Sequence, residues 1–310
     1  MATHESHGRL LPKETVVSES LRARRTVRIY LPASYERSSR RRYPVLYLHD
    51  GQNVFTSAGP DAAFGWGGWD LDRIVDDLVG ADRMREIIMV AVDNSRSRYL
   101  EYRGPAYQYG AAKQDGLNSP PQGGGDDRRY ENYAQFLIRE LKPQIDGEYR
   151  TLSGPSHTGV MGSSMGGICS LALAWQHPGV FGMAASLSGA FQVERMNFLK
   201  RVLQAYEGEP KPIRIYLDSG VVDDSGDDDG RANTEKVAAE LRRIGWRSGT
   251  KFRYYLQKQV FREDELERFG LRRDKWEEAQ TSQHNEFYWR LRAWRALVFL
   301  FPPLRARKAC

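Results

Sequence analysis

Short apolar bursts alternating with helical periodicity run through most of this chain. Residues 26–31 (TVRIYL) alternate apolar and polar positions as a half-buried strand does, and Pro32 ends them. The preceding TVVSES predicts an antiparallel hairpin partner. After Pro44 the run VLYLHDG stays apolar until its turn residues, the pattern of a strand covered on both faces. Residues 71–79 (LDRIVDDLV) carry apolar side chains at helical spacing, and 87–92 (IIMVAV) form another continuous apolar run, so 45–92 predict a β-α-β unit. Further along, 133–145 predict a helix ended or kinked by Pro143. A strand follows at 158–161, leading into GSSMGG, then an apolar helix at 168–175 and strands at 182–187 and 213–217. An amphipathic helix at 234–244, a last strand at 252–256 and a final helix at 285–300, closed by two prolines, complete the pattern.

This alternation predicts an α/β class with a doubly wound, mostly parallel sheet and an antiparallel N-terminal hairpin, built as a single domain over 1–310. Residues 1–14 are expected to be flexible. The segment 103–129, rich in Gly, Pro, Asn and Gln, is too long for a plain connector and is expected to be a loop near the functional site. The charged stretch 258–283 interrupts the pattern before the final helix and is expected to be an inserted surface or cap element.

Composition narrows the class. The 310 residues are 40% hydrophobic and 28% charged, ordinary globular usage, and no stretch reaches the roughly 18–20 consecutive apolar residues of a membrane span. The N-terminal residues lack a charged segment followed by an apolar one, so a cytoplasmic product is expected. The two cysteines, Cys169 and Cys310, suit free thiols rather than a disulfide scaffold or a zinc site. Net charge is +6, but the densest basic run, Arg37 to Arg42, lies in a turn without interleaved aromatics. Neither nucleic acid nor a membrane is an expected partner. Oligomeric state is left open.

Chemistry concentrates at Gly162-Ser163-Ser164-Met165-Gly166, a G-x-S-x-G between a predicted strand and a predicted helix. In a nucleophile elbow the strained turn projects the Ser Oγ outward, and the flanking glycines leave room for backbone. A serine hydroxyl needs a base, and this fold supplies it in the chain order Ser, acid, His. Of the six histidines, His284 alone follows both the last predicted strand and the acidic loop. That loop, DSGVVDDSGDDDG, offers several carboxylates. Asp223 has the better distance from the strand end, whereas Asp228 or Asp229 has the better distance to the following helix, and Asp223 is preferred by a small margin over Asp228. Backbone N–H groups of Met165 and, within HDGQN, of Gln52 are the expected oxyanion-hole donors. No cofactor and no metal is expected. Trp66, Trp69, Tyr107 and Tyr109 lie in loops expected near the site, where aromatics can stack on an aryl group or a sugar ring.

These residues resemble the esterase family that includes enterochelin esterases, esterase D, feruloyl esterase domains and mycolyltransferases. The resemblance covers roughly residues 27–299: RIYLP, YPVLYLHDGQNVF, WDLDRIVDDL, AVDNSRSRYLEY, GVMGSSMGGICSLALAWQHPGVFGMAASLSGAF, LDSG and HNEFYW, in that order. It implies an α/β-hydrolase fold and a cofactor-independent serine carboxylic ester hydrolase working through an acyl-enzyme on Ser164, with His284 as general base. It further implies that Arg98, Glu101 and Tyr102, within the pattern R-x-x-E-Y, line or brace the site, with Trp66 a candidate substrate contact. Siderophore esters, feruloyl or acetyl sugar esters and simple acyl esters are the implied small-molecule substrates. An acyltransferase on the same scaffold, or an inactive carbohydrate- or ligand-binding homologue, are the alternatives.

Overall fold

A computed structural model describes residues 7–105, 128–223 and 228–304. Its strands are β1 (Arg9–Leu10), β2 (Glu14–Ser18), β3 (Ala23–Leu31), β4 (Val45–Leu48), β5 (Ile88–Val92), β6 (Thr158–Ser163), β7 (Met183–Leu187), β8 (Arg214–Ser219) and β9 (Phe252–Leu256). They form one sheet in the order β1-β3-β5-β4-β6-β7-β8-β9, with β2 also paired to β3. From β5 to β9 all neighbours are parallel, while β1, β2 and β5 each run antiparallel to β3. The molecule therefore has the α/β-hydrolase fold, a mostly parallel sheet with an antiparallel N-terminal end.

The continuous apolar runs are explained by the sheet being covered on both sides. Because side chains alternate along a strand, Val45 and Tyr47 of β4 enter one apolar cluster with Val160 of β6 and the Met165–Gln176 helix. Leu46 and Leu48 enter the opposite cluster with Met161 and the helices Leu71–Gly80 and Glu286–Leu300. Among the described residues no helix is long and apolar enough to cross a membrane.

Three expectations need correction. Residues 1–14 are not loose throughout, because Arg9 and Leu10 pair with Leu31 and Tyr30 and the Leu11 N–H donates to Ile29 O at 2.8 Å. Pro143 neither ends nor breaks its helix. A wide π-type turn over Phe136–Leu141 precedes it, so the ring falls in the first turn of the Lys142–Glu148 segment, where a missing N–H is tolerated. Finally, the Met165–Gln176 helix starts three residues before the expected 168, directly after Ser164.

The stretch 258–283 forms short helices, Glu263–Arg268 and Trp276–Thr281. Phe261, Leu266, Leu271 and Ala279 pack with Trp66, Phe287 and Tyr288 in a third apolar cluster. This explains an apolar content that its charge density masks in the sequence.

Candidate active site

Ser164 sits between β6 and the Met165–Gln176 helix with φ 51° and ψ −119°, a conformation L-residues avoid. Such strain costs of order 1–3 kcal/mol and persists only where surrounding bonds over-determine it. Here the Ser164 N–H donates to Leu187 O at 2.9 Å, and its carbonyl accepts from Gly167 N at 3.0 Å and Ala190 N at 2.9 Å. A Cβ at Gly162 would lie 2.7 Å from the Gly166 carbonyl carbon, so the turn closes only with glycine there.

The Ser164 Oγ lies 3.0 Å from His284 Nε2, and His284 Nδ1 lies 2.7 Å from Asp229 Oδ1. The carboxylate that meets the imidazole is thus Asp229, not Asp223 or Asp228. Asp228 instead accepts the Ala232 N–H at 3.0 Å, capping the Arg231–Ile244 helix. Asp223 accepts from Ser282 Oγ at 2.9 Å, and the same Ser282 Oγ receives the His284 N–H at 3.2 Å. Asp229, just after Asp228 with φ 54°, turns inward and is wholly buried. Its Oδ2 accepts from Ser188 Oγ at 2.7 Å and from the Gly220 N–H, with Arg292 Nη1 at 3.3 Å. Burial alone would push this carboxyl up. The His284 hydrogen bond and the Arg292 charge offset that and hold it below its ordinary range.

The Trp289 ring stands edge-on to the His284 imidazole, centroids 5.1 Å apart, and its indole N–H donates to Ser188 Oγ at 3.0 Å. Ser188, Trp289 and Arg292 were not singled out in the sequence. One signal was present: Arg292 is a lone charge on the face of the last helix that carries Trp289, Ala293 and Ala296 into the core.

After β4, Gly51–Asn53 form a single 3₁₀ turn. Neither the Gln52 nor the Met165 backbone N–H has a hydrogen-bond acceptor among the described residues. Gly51 is required by close approach, since a Cβ would lie 2.7 Å from Ala91 and Val92 backbone carbons. The turn is fixed from below by Asp50, whose carboxylate receives Arg98 Nε at 2.7 Å, Arg98 Nη2 at 2.8 Å and Asn94 Nδ2 at 2.6 Å. The Gln52 side chain accepts the Asn94 N–H at 3.1 Å.

Arg98 therefore braces this turn. Glu101 and Tyr102 are buried: Glu101 pairs with Arg25 at 2.6 Å, and Tyr102 packs on His49 and Tyr133. Trp66 is also a packing residue, 7% exposed under the 258–283 helices, with Lys275 Nζ 4.8 Å from its ring centre. Trp69 is buried against Trp289. Tyr107 and Tyr109 lie outside the described residues. His49, at the end of β4, donates to or accepts from Tyr133 Oη at 2.9 Å, and burial pushes its pKa down to about 4.

Two residues past His284, Glu286 accepts from Asn53 Nδ2 at 3.1 Å, linking the imidazole-bearing segment to the 3₁₀ turn. Burial pushes its carboxyl up to about 7. No cluster of His, Cys, Asp and Glu among the described residues has metal-holding geometry.

A mostly parallel sheet bearing a strained serine at the head of a helix, with a histidine brought to it from the chain's end, defines a hydrolase of the α/β-hydrolase class. The chain belongs to the esterase family, whose model, described as "Putative esterase", matches residues 18–294, and it is an ester-hydrolysing enzyme. It is 28% identical over 172 residues to Esterase Rv1288 of Mycobacterium tuberculosis, covering 54% of this chain and 30% of that protein. This chain thus spans under a third of that relative's length. Among solved structures it is similar to a ferulic acid esterase (TM-score 0.64, 18% identity, 95% of this chain and 98% of that one). It is also similar to the enterobactin esterase FES of Shigella flexneri (TM-score 0.64, 17% identity, 94% and 58%).

Proposed function

We propose that the protein cleaves carboxylic esters in two acyl-transfer steps through an acyl-enzyme on Ser164. His284 removes the hydroxyl proton as Ser164 attacks the ester carbonyl. The tetrahedral oxyanion is received by the N–H groups of Met165 and Gln52, and the alcohol leaves with the proton from His284. Water, deprotonated by the same imidazole, then attacks the acyl-enzyme and releases the acid. Asp229 holds the imidazole in the tautomer that leaves Nε2 free to accept, and it stabilises the imidazolium. The observation that carries this reading is the hydrogen-bonded chain Ser164 Oγ, His284 Nε2, His284 Nδ1, Asp229 Oδ1, at 3.0 and 2.7 Å. That neither N–H has an acceptor among the described residues adds support, because a donor reserved for an anion yet to form has no partner at rest.

For the substrate we propose a small-molecule ester of the siderophore, feruloyl-sugar or acetyl-sugar kind, or a simple acyl ester. Similarity to a protein named a ferulic acid esterase and to one named an enterobactin esterase supports trying feruloyl and siderophore esters first. The cytoplasm is the proposed location. Replacing Ser164 by Ala is expected to lower turnover of p-nitrophenyl acetate by about 10⁵–10⁶-fold with the circular dichroism unchanged. Turnover at the wild-type rate would rule out the mechanism.

A further inference from the structure

Beneath Asp229 lies a second fully buried carboxylate, Asp218 at the end of β8, and between them the fully buried guanidinium of Arg292. Arg292 Nη1 is 3.3 Å from Asp229 Oδ2, and Nη2 is 3.3 Å from Asp218 Oδ1. The latter is an ion pair without hydrogen-bond alignment, since Asp218 Oδ1 has no hydrogen-bond partner. Nη2 donates instead to Ser188 Oγ at 2.5 Å, and Ser188 Oγ donates to Asp229 Oδ2 at 2.7 Å. Tyr216 Oη donates to Asp218 Oδ2 at 3.2 Å.

An ion cluster this deep is costly, and a well-packed apolar side chain at 292 would often serve stability as well or better. Its charge arithmetic suggests another use. One guanidinium and two carboxylates sum to −1, and a protonated His284 brings the sum to zero. The charges of this four-group cluster, leaving aside the oxyanion held elsewhere, are therefore balanced when the imidazole has taken the serine proton, not at rest. Were Asp218 neutral, the resting cluster would already be balanced, and protonating His284 would leave a buried positive charge.

We propose that Asp218 and Arg292 are positioning residues for the Asp229–His284 pair: Arg292 grips the outer oxygen of Asp229, while Asp218 counters the guanidinium so that the charge of Asp229 serves His284. This rests on the two-step hydrolase mechanism above. Burial pushes the Asp218 carboxyl up to about 6, and the adjacent Arg292 guanidinium at 3.3 Å pulls it back toward the charged form. Other titratable or charged groups described around the cluster include Tyr216 beside Asp218, Arg295 near Tyr216, Tyr254 through Ser219, Tyr288 near Arg292, Asp223 through Ser282, and Glu286 two residues after His284. Substituting Asp218 leaves all of them in place.

The test is the rate at which a fluorophosphonate attaches to Ser164 in the full chain, followed across the acidic to neutral range. For Asp218→Asn, the neutral-pH rate should fall about tenfold and the acid limb should move to lower pH by about half a unit or more, because without the second carboxylate the protonated imidazole is less stabilised and gives up its proton more readily. KM for p-nitrophenyl acetate should stay near wild type. A merely structural role would lower the folded fraction, and with it the extent of labelling, without changing the rate constant or moving the limb. If Asp218→Asn does not fold, Arg292→Lys carries the test: the ammonium keeps the charge but loses the two-armed grip, so the rate should fall while the limb stays. A folded Asp218→Asn, or failing that a folded Arg292→Lys, with the wild-type rate and profile overturns the proposal and leaves the hydrolase mechanism standing. Failure of the wild type itself to label Ser164 would instead remove the mechanism beneath it.

Discussion

Among the acids of the 218–229 segment, environment rather than number decides which one serves the imidazole. Asp228 caps a helix at an exposed N-terminus and Asp223 ties down Ser282, whereas Asp229 gives one oxygen to His284 and the other to Ser188 and Gly220. Among the described acids of this segment, Asp229 is the one that joins full burial to donors on both oxygens, and these hold its carboxyl below the ordinary range against the push of burial. Asp229→Asn is therefore expected to lower kcat by about 10³–10⁴-fold, because the amide stabilises the wrong imidazole tautomer. Asp223→Asn and Asp228→Asn should each change it by less than about tenfold, since neither carboxylate contacts the ring. Steady-state kinetics on the three variants with one p-nitrophenyl ester separates them.

At the level of elements, the turn from β6 into the Met165–Gln176 helix stores strain that a serine side chain makes worse. With the hydroxyl removed in both, Ser164→Gly and Ser164→Ala differ chiefly in how well they tolerate φ 51° and ψ −119°. Glycine adopts positive φ freely but loses about 0.5–1 kcal/mol of chain entropy relative to alanine, while strain of about 1–3 kcal/mol is relieved. Ser164→Gly should accordingly be the more stable of the two by roughly 1 kcal/mol, the reverse of the usual order; thermal melts of the two inactive variants check it. The 3₁₀ turn at Gly51–Asn53 faces the opposite problem, holding N–H groups without acceptors, and its rigidity comes from the Asp50–Arg98 fork and the Asn94 contacts.

For the molecule as a whole, the sheet ends at a layer of buried polar groups that makes its stability pH-dependent. His49 is fully buried and neutral, with its pKa pushed from 6.5 down to about 4 by burial. A group depressed in the folded state contributes stability that is complete above its unfolded pKa and lost as pH falls through the folded one. This contribution, at most about 3 kcal/mol, should vanish between about pH 6.5 and 4. In His49→Gln, urea unfolding free energies should fall less steeply across that window than in the wild type, whatever the difference at neutral pH. An equal slope would show that other groups govern acid unfolding.

What the sequence alone determined is the part governed by local pattern. Continuous apolar runs such as VLYL and IMVAV imply strands covered on both faces, and G-x-S-x-G between strand and helix implies a turn tight enough to demand glycine at 162. The late position of His284 made it the histidine expected beside Ser164, and the two stand 3.0 Å apart. Tertiary structure alone decided the rest. In a loop with aspartates at consecutive positions, chain distance differs by one residue while the side chains point in unrelated directions, so selecting Asp229 required the packing of Ser188, Gly220 and Arg292 around it. Likewise R-x-x-E-Y and Trp66 looked suited to contact a ligand, yet burial spends Glu101, Tyr102 and Trp66 on packing and ion pairing and leaves Arg98 to hold the turn. Sequence spacing reports which residues are near along the chain, whereas desolvation and hydrogen-bond partners are set by segments dozens of residues apart, such as the 120 that separate Ser164 from His284.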